Sequence, residues 1–304
     1  MYFGSSSIKL ICLVILTLFF SCGCARAERP AGTGLEVTPL EGNSFSCNYE
    51  GVKHKFILDL PEQSEGNPLI IMLPGYGNTA ESFRTSVHLE VDANPQGYAV
   101  VYVTGAPAPN ALGSAFGWNS GISAEGNDDV GFLRALAQHL QKEYSFDEKR
   151  TYAVGFSNGA FMVHRLAMEA GDIFSACVSA AGLMPKKIWE ARNEMNNVSF
   201  LQITGEKDDV VPKNSDGSAA HAKDPAIEDV MAYWTESDGL EICGSEEAGT
   251  GSVLTKCRSE KSPNQVWHLF VKNGRHSWPD IKLNGIDTNR LILEFFDAVS
   301  QHNL

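Results

Sequence analysis

Gly155-Phe156-Ser157-Asn158-Gly159 is the stretch of this chain with the residue types to do chemistry. A serine between two glycines at this spacing fits a sharp turn between a strand and a helix. The flanks agree: Thr151–Val154 reads as a strand and Asn158–Ala170 as an amphipathic helix. In such a turn the glycines leave room where side chains would collide. The serine hydroxyl is held out beside the positive end of the helix. Serine is nonetheless a weak nucleophile until a base takes its proton. The base in turn needs an acid to fix its tautomer and stabilise its charge.

With the serine first, the acid is expected next along the chain and the histidine last. Eight histidines compete. His54, His88, His139 and His164 lie early in the chain or in helical segments. His268 lies within a strand, His302 at the terminus, and His221 in a polar loop with no strand leading into it. His276 follows the strand Gln265–Val271 in a loop, where a base belongs. The acid lies past the strand Val198–Thr204, in Gly205-Glu206-Lys207-Asp208-Asp209-Val210-Val211-Pro212. Spacing does not choose among Glu206, Asp208 and Asp209. Ester hydrolysis also needs two backbone N–H groups for the oxyanion. The residue after the serine, Asn158, supplies one. Tyr76, in the glycine-rich loop Pro74–Asn78, is the expected second donor.

The elements that must position these groups alternate. Val52–Leu60 reads as a strand, paired with Ser44–Tyr49. Pro68–Leu73 and Tyr98–Thr104 are continuous apolar runs, the mark of strands buried on both faces. Ile173–Ala181 is a further strand. Asp128–Tyr144, Ile227–Ser237 and Asp287–Gln301 have helical spacing. Strands alternating with helices imply an α/β fold with a mostly parallel sheet covered on both faces. Residues 43–302 form one domain, preceded by a loose lead-in over residues 28–42.

At 304 residues, 43% hydrophobic and 20% charged, the chain can bury a sizeable core. Lys9 precedes the 11-residue apolar run Leu10–Phe20, too short to span a bilayer. Ala25-Arg26-Ala27 follows as a small-x-small cleavage site. Residues 1–27 therefore read as a secretory signal, giving a secreted or periplasmic protein with no transmembrane span in the mature chain. A lipid anchor on Cys22 or Cys24 ranks second, because Phe19-Phe20-Ser21-Cys22 is a poor lipobox. Export makes disulfides admissible. Cys243 and Cys257 flank a polar, glycine-rich stretch and are the expected pair; Cys177 reads as a buried thiol and Cys47 has no evident partner. The net charge is −13, and nearer −15 once Lys9 and Arg26 leave with the signal. A surface this acidic argues against nucleic acid and anionic lipid as partners. Asn197-Val198-Ser199 is a glycosylation sequon only in a eukaryotic secretory host.

Five blocks together resemble the secreted esterases that include polyhydroxybutyrate depolymerases and feruloyl or acetylxylan esterases. They are Leu73–Gly77; Phe116-Gly117-Trp118-Asn119-Ser120; Asp128-Asp129-Val130-Gly131-Phe132; the Ser157 turn; and Gly205–Pro212 with His276-Ser277-Trp278-Pro279. The resemblance implies the α/β-hydrolase fold and a serine carboxylic ester hydrolase working through an acyl-enzyme, with no cofactor and no metal. It implies Asp208, four residues before Pro212, as the acid. Where the family has His-Gly in the oxyanion loop this chain has Pro74-Gly75, which spares the donor at Tyr76. Trp118 and Trp278 are expected to line the substrate pocket. Asp128 and Asp129 read as helix-capping residues rather than metal ligands. The substrate is a small ester or one linked to a polysaccharide or polyester. Two alternatives stand beside this reading: another serine hydrolase (a peptidase or thioesterase), and a non-catalytic binding protein on the same fold.

Overall fold

The computed structural model describes residues 34–110, 113–122, 126–192, 198–213 and 224–302. Residues 1–33 with Cys22 and Cys24, Asn197 of the sequon and His221 lie outside the described residues. Among the described residues thirteen strands run in chain order: β1 Leu35–Pro39, β2 Ser44–Tyr49, β3 Val52–Asp59, β4 Leu69–Leu73, β5 Ala99–Thr104, β6 Ala106–Asn110, β7 Gly113–Gly117, β8 Thr151–Phe156, β9 Ala176–Ala180, β10 Ser199–Gly205, β11 Ile242–Ala248, β12 Ser252–Arg258 and β13 Gln265–Val271. The helices are α1 Ala80–Val87, α2 Leu89–Ala93, α3 Asp129–Tyr144, α4 Asn158–Glu169, α5 Lys186–Glu190, α6 Ile227–Ser237, α7 Ile281–Asn284 and α8 Thr288–His302.

Eleven of these strands form one sheet in the order β1-β2-β3-β5-β4-β8-β9-β10-β13-β12-β11. The six from β5 to β13 are mutually parallel. Antiparallel strands flank them on both sides. The parallel strands are the apolar runs of the sequence, because helices cover both faces and leave no side for water. On one face α3, α4 and α6 pack Phe132, Phe161 and Trp234 against the sheet. On the other, α1, α2 and α8 contribute Phe83, Leu89 and Phe296. The sheet buries both faces of β4, β5 and β9 completely, so its register cannot slip without exposing apolar rows.

Three local expectations change. Leu35–Pro39, placed in the loose lead-in, is a strand paired with β2 at the sheet edge. The glycine-rich stretch between Cys243 and Cys257 is a hairpin of β11 and β12, not a loop. The two cysteines face each other in its register and form the expected disulfide. Segment 106–117 holds a second hairpin, β6–β7, which no periodicity announced. Cys177 and Cys47 are buried free thiols, and burial pushes the Cys47 thiol up to about 12.

Candidate active site

The serine turn is built by close backbone approach. A Cβ on Gly155 would lie 2.2 Å from the Gly159 carbonyl oxygen, and one on Gly159 would lie 2.1 Å from that of Leu73. Only glycine fits at either place. Ser157 between them has φ 52° and ψ −118°, outside the regions an L-residue prefers. The Ser157 N–H donates to the Ala180 carbonyl of neighbouring β9 at 3.0 Å, which anchors the strained residue. Its hydroxyl makes no capping bond to α4 and is left for the site.

The acid and base loops leave the ends of two adjacent parallel strands. Gly205 pairs in register with Val271, the last residues of β10 and β13. Beyond them the loops stay tied: Glu206 N–H donates to Val271 O at 3.0 Å and Lys207 N–H to Gly274 O at 2.7 Å. This brings Asp208 and His276 together. His276 Nδ1 lies 2.9 Å from Asp208 Oδ2, and His276 Nε2 lies 2.9 Å from Ser157 Oγ. An ionised carboxylate only accepts, so Nδ1 carries the proton and Nε2 of the neutral ring is free to accept from serine. The other carboxylate oxygen of Asp208 accepts from the Val210 and Val211 N–H groups at 3.0 and 2.8 Å. The side chain is 1% exposed.

Geometry separates the three carboxylates that spacing left open. Asp209 is exposed. Glu206 pairs with Lys272 Nζ at 2.7 Å and accepts from Asn273 N–H at 2.9 Å, away from the histidine ring. The Lys272 ammonium holds the Glu206 carboxyl below its ordinary value. Asp208 alone reaches His276.

The loop expected to supply an oxyanion donor follows β4, which pairs with β8 so that Leu73 sits opposite Gly155. Gly75 therefore packs against Ser157: a Cβ there would be 3.2 Å from the serine Cβ. As the first residue of α4, Asn158 has an N–H with no intrahelical acceptor. Among the described residues the Tyr76 N–H makes no backbone hydrogen bond. Among the described residues neither expected donor N–H is taken by a backbone acceptor.

The two tryptophans differ from each other. Trp118 is 6% exposed. Its indole N–H donates to the Pro74 carbonyl at 3.0 Å, which satisfies the one donor of this buried ring. Trp278 is partly buried, edge-on to Phe83 with ring centres 5.8 Å apart. It borders a cavity of about 260 Å³ with Val87, Pro279 and Asp280, two residues from the base. Asp128 caps α3 as expected, accepting from Gly131 N–H at 3.0 Å. Asp129 does something else: it accepts from the Asn119 N–H at 2.6 Å. A cavity of about 1130 Å³ lies on the β1–β3 side of the sheet and contains none of the three residues Ser157, Asp208 and His276. No group of three or more His, Cys, Asp or Glu residues with metal-binding geometry exists among the described residues.

A family profile described as Esterase PHB depolymerase matches residues 55–216, more than half of the chain. The chain belongs to that family. The esterase PHB depolymerase match covers the Pro74–Asn78 loop, the serine turn and Asp208, and stops before His276. A putative esterase NocK from Nocardia uniformis subsp. tsuyamanensis is 31% identical over 244 residues, 72% of this chain and 67% of that protein. Feruloyl esterase B from Piromyces equi is 27% identical over 165 residues, 53% of this chain but only 30% of that protein. Among solved structures, the acetyl xylan esterase from Aspergillus awamori superposes with a TM-score of 0.58 at 13% identity, covering 87% of this chain and 99% of that one. Identity that low speaks to the fold alone, and the fold is that of the α/β-hydrolases. By family the chain is a carboxylic ester hydrolase.

Proposed function

We propose that this chain is an exported serine esterase that works through an acyl-enzyme. The observation that carries the reading is the Ser157–His276–Asp208 relay, with both links at 2.9 Å. Ser157 Oγ attacks the ester carbonyl while His276 Nε2 takes its proton. The imidazolium that forms is stabilised by Asp208, itself fixed by two backbone N–H groups. The carbonyl oxygen, now an anion, is met by the Tyr76 and Asn158 N–H groups and by the positive end of α4. His276 then gives its proton to the leaving alcohol. Water clears the acyl group by the same steps in reverse. Nothing in this sequence needs a cofactor. The substrate is a small ester or one carried on a polysaccharide or polyester.

Export is supported by the leader-like residues 1–27 and by the Cys243–Cys257 disulfide, a bond at home in an oxidising compartment. No helix of the described residues is long and apolar enough to cross a membrane.

Hydrolysis of p-nitrophenyl acetate by wild type and Ser157→Ala tests the reading. Wild type is expected to turn over and the variant to fall to background with an unchanged fold. Equal rates for the two folded proteins would remove the reading. Methyl ferulate, acetylated xylan and hydroxybutyrate oligomers then sort the substrate class.

A further inference from the structure

The segment Phe116–Asn119 crosses behind the oxyanion loop and is tied on every side. Phe116 O accepts from the Gly77 N–H at 2.8 Å. The Trp118 indole N–H donates to Pro74 O at 3.0 Å. The Trp118 backbone N–H donates to the Asn158 side-chain oxygen at 2.7 Å. One short strap therefore contacts the loops of both expected oxyanion donors. Its far end is held by two charged side chains. Asp129 Oδ2 accepts from the Asn119 N–H at 2.6 Å, and Arg165 donates to the Asn119 carbonyl at 2.5 Å.

Asp129 is only 1% exposed, and its Oδ1 has no hydrogen-bond partner among the described residues. A buried carboxylate with a bare oxygen is costly, and folds retain few of them without a use. Nor does Asp129 cap α3, since Asp128 does that. A cavity of about 180 Å³ adjoins Asp129, His54 and Phe132. His54 Nδ1 faces the Thr104 carbonyl at 3.2 Å, so Nδ1 carries the proton; its Nε2 is an acceptor and is likewise unpartnered.

We propose that Asp129 is a positioning residue: through Asn119 it holds the Phe116–Asn119 strap against Pro74–Gly77 and Asn158, and so sets the oxyanion donors. The inference rests on the serine-esterase reading of the site. Asp129 touches no reacting atom. Loosening the strap misplaces donors that act only on the transition state, so the loss falls on kcat and leaves KM nearly unchanged.

The test compares wild type, Asp129→Ala and Asp129→Asn at pH 8, above the value of about 6 to which burial raises this carboxyl. Asparagine keeps an oxygen for the Asn119 N–H. Its amide nitrogen takes the place of the bare Oδ1, bordering the cavity that His54 also lines. Asp129→Ala is expected to lose at least about tenfold in kcat on p-nitrophenyl acetate, with KM within about threefold. Asp129→Asn is expected to stay within about threefold of wild type. Phosphonylation of Ser157 by a p-nitrophenyl phosphonate, which also places an oxygen on the donors, should slow in step with kcat. A purely structural role would lower the melting temperature and leave the folded enzyme's kcat alone. The proposal is overturned by kcat of Asp129→Ala within twofold of wild type, by Asp129→Asn losing as much as Asp129→Ala, or by failure of both variants to fold. An inactive wild type would instead remove the esterase reading beneath it.

Discussion

Replacing Asp208 by asparagine changes one oxygen to nitrogen in a carboxyl group that makes three hydrogen bonds, and the structure says which way the new amide turns. Oδ1 accepts from two backbone N–H groups, at 3.0 and 2.8 Å, while Oδ2 serves His276 Nδ1 alone. Two bonds outweigh one, so the amide oxygen stays with Val210 and Val211 and the amide nitrogen faces the histidine. A nitrogen that donates forces Nδ1 to accept, which moves the ring proton to Nε2. Nε2 then cannot take the serine proton. To restore the working tautomer the amide must flip and point its NH₂ at two backbone donors, at roughly 1–3 kcal/mol for each bond lost. The total of about 2–6 kcal/mol makes the competent form some 30- to 10⁴-fold rarer, at 1.36 kcal/mol per decade. Asp208→Asn is therefore expected to lose at least about 30-fold in kcat/KM on p-nitrophenyl acetate, with an unchanged circular dichroism spectrum. Asp209→Asn, on an exposed side chain, should stay within about threefold. Asp208→Asn within tenfold of wild type, or Asp209→Asn the more damaged of the two, would refute the reasoning.

Three further outcomes follow from other parts of the fold. Gly155→Ala places a Cβ 2.2 Å from the Gly159 carbonyl and should cost about 3 kcal/mol or more, read as a large drop in soluble yield and melting temperature. Replacing Cys243 and Cys257 together by serine opens a link across 14 residues and should cost about 2–3 kcal/mol in thermal or urea melts. Activity at 25 °C should hold within twofold, because β11 is the sheet edge far from β8. Asp238, buried with one oxygen on Asn264 and the other unpartnered, has its carboxyl raised by burial to about 7. The native state then binds the proton more tightly than the unfolded chain, so this group's contribution is lost as pH rises from about 4 through 7. Asp238→Asn should remove that loss, gaining melting temperature over wild type at pH 8 and nothing at pH 4. The reverse pH trend would contradict the assignment.

What the sequence made legible was whatever its chemistry over-determines. The apolar runs of β4 and β5 could only be strands buried on both faces, and the glycines around Ser157 could only be a close approach. The chain order of Ser157, Asp208 and His276 fell on strand ends for the same reason. Elements without such a constraint stayed hidden. β11 is exposed along almost its whole length, so it carries no alternation of apolar and polar residues and reads as a loop. β6 and β7 are short and rich in Ala, Pro and Gly, and their role is to carry the strap rather than to fill a core. The bond from the Trp118 indole to Pro74, which braces the loop, could not be read from the residue type. The choice of Asp208 over Glu206 and Asp209 needed the family resemblance, since it depends on which side chain turns inward. Asp129 carried a signal in principle. A second aspartate beside a capping one has no capping work left, and a pair of acids at a helix start invites the question of what the other holds.

The proposed mechanism passes an acyl group through Ser157 under the control of His276. Rapid quench of the enzyme with p-nitrophenyl acetate, followed by peptide mass spectrometry, tests it most directly. An acetyl group is expected on the peptide containing Ser157, formed in the first turnover and absent from His276→Ala at the same time point. Steady hydrolysis with no acyl group on that peptide, or with one attached elsewhere and full activity in Ser157→Ala, would contradict it.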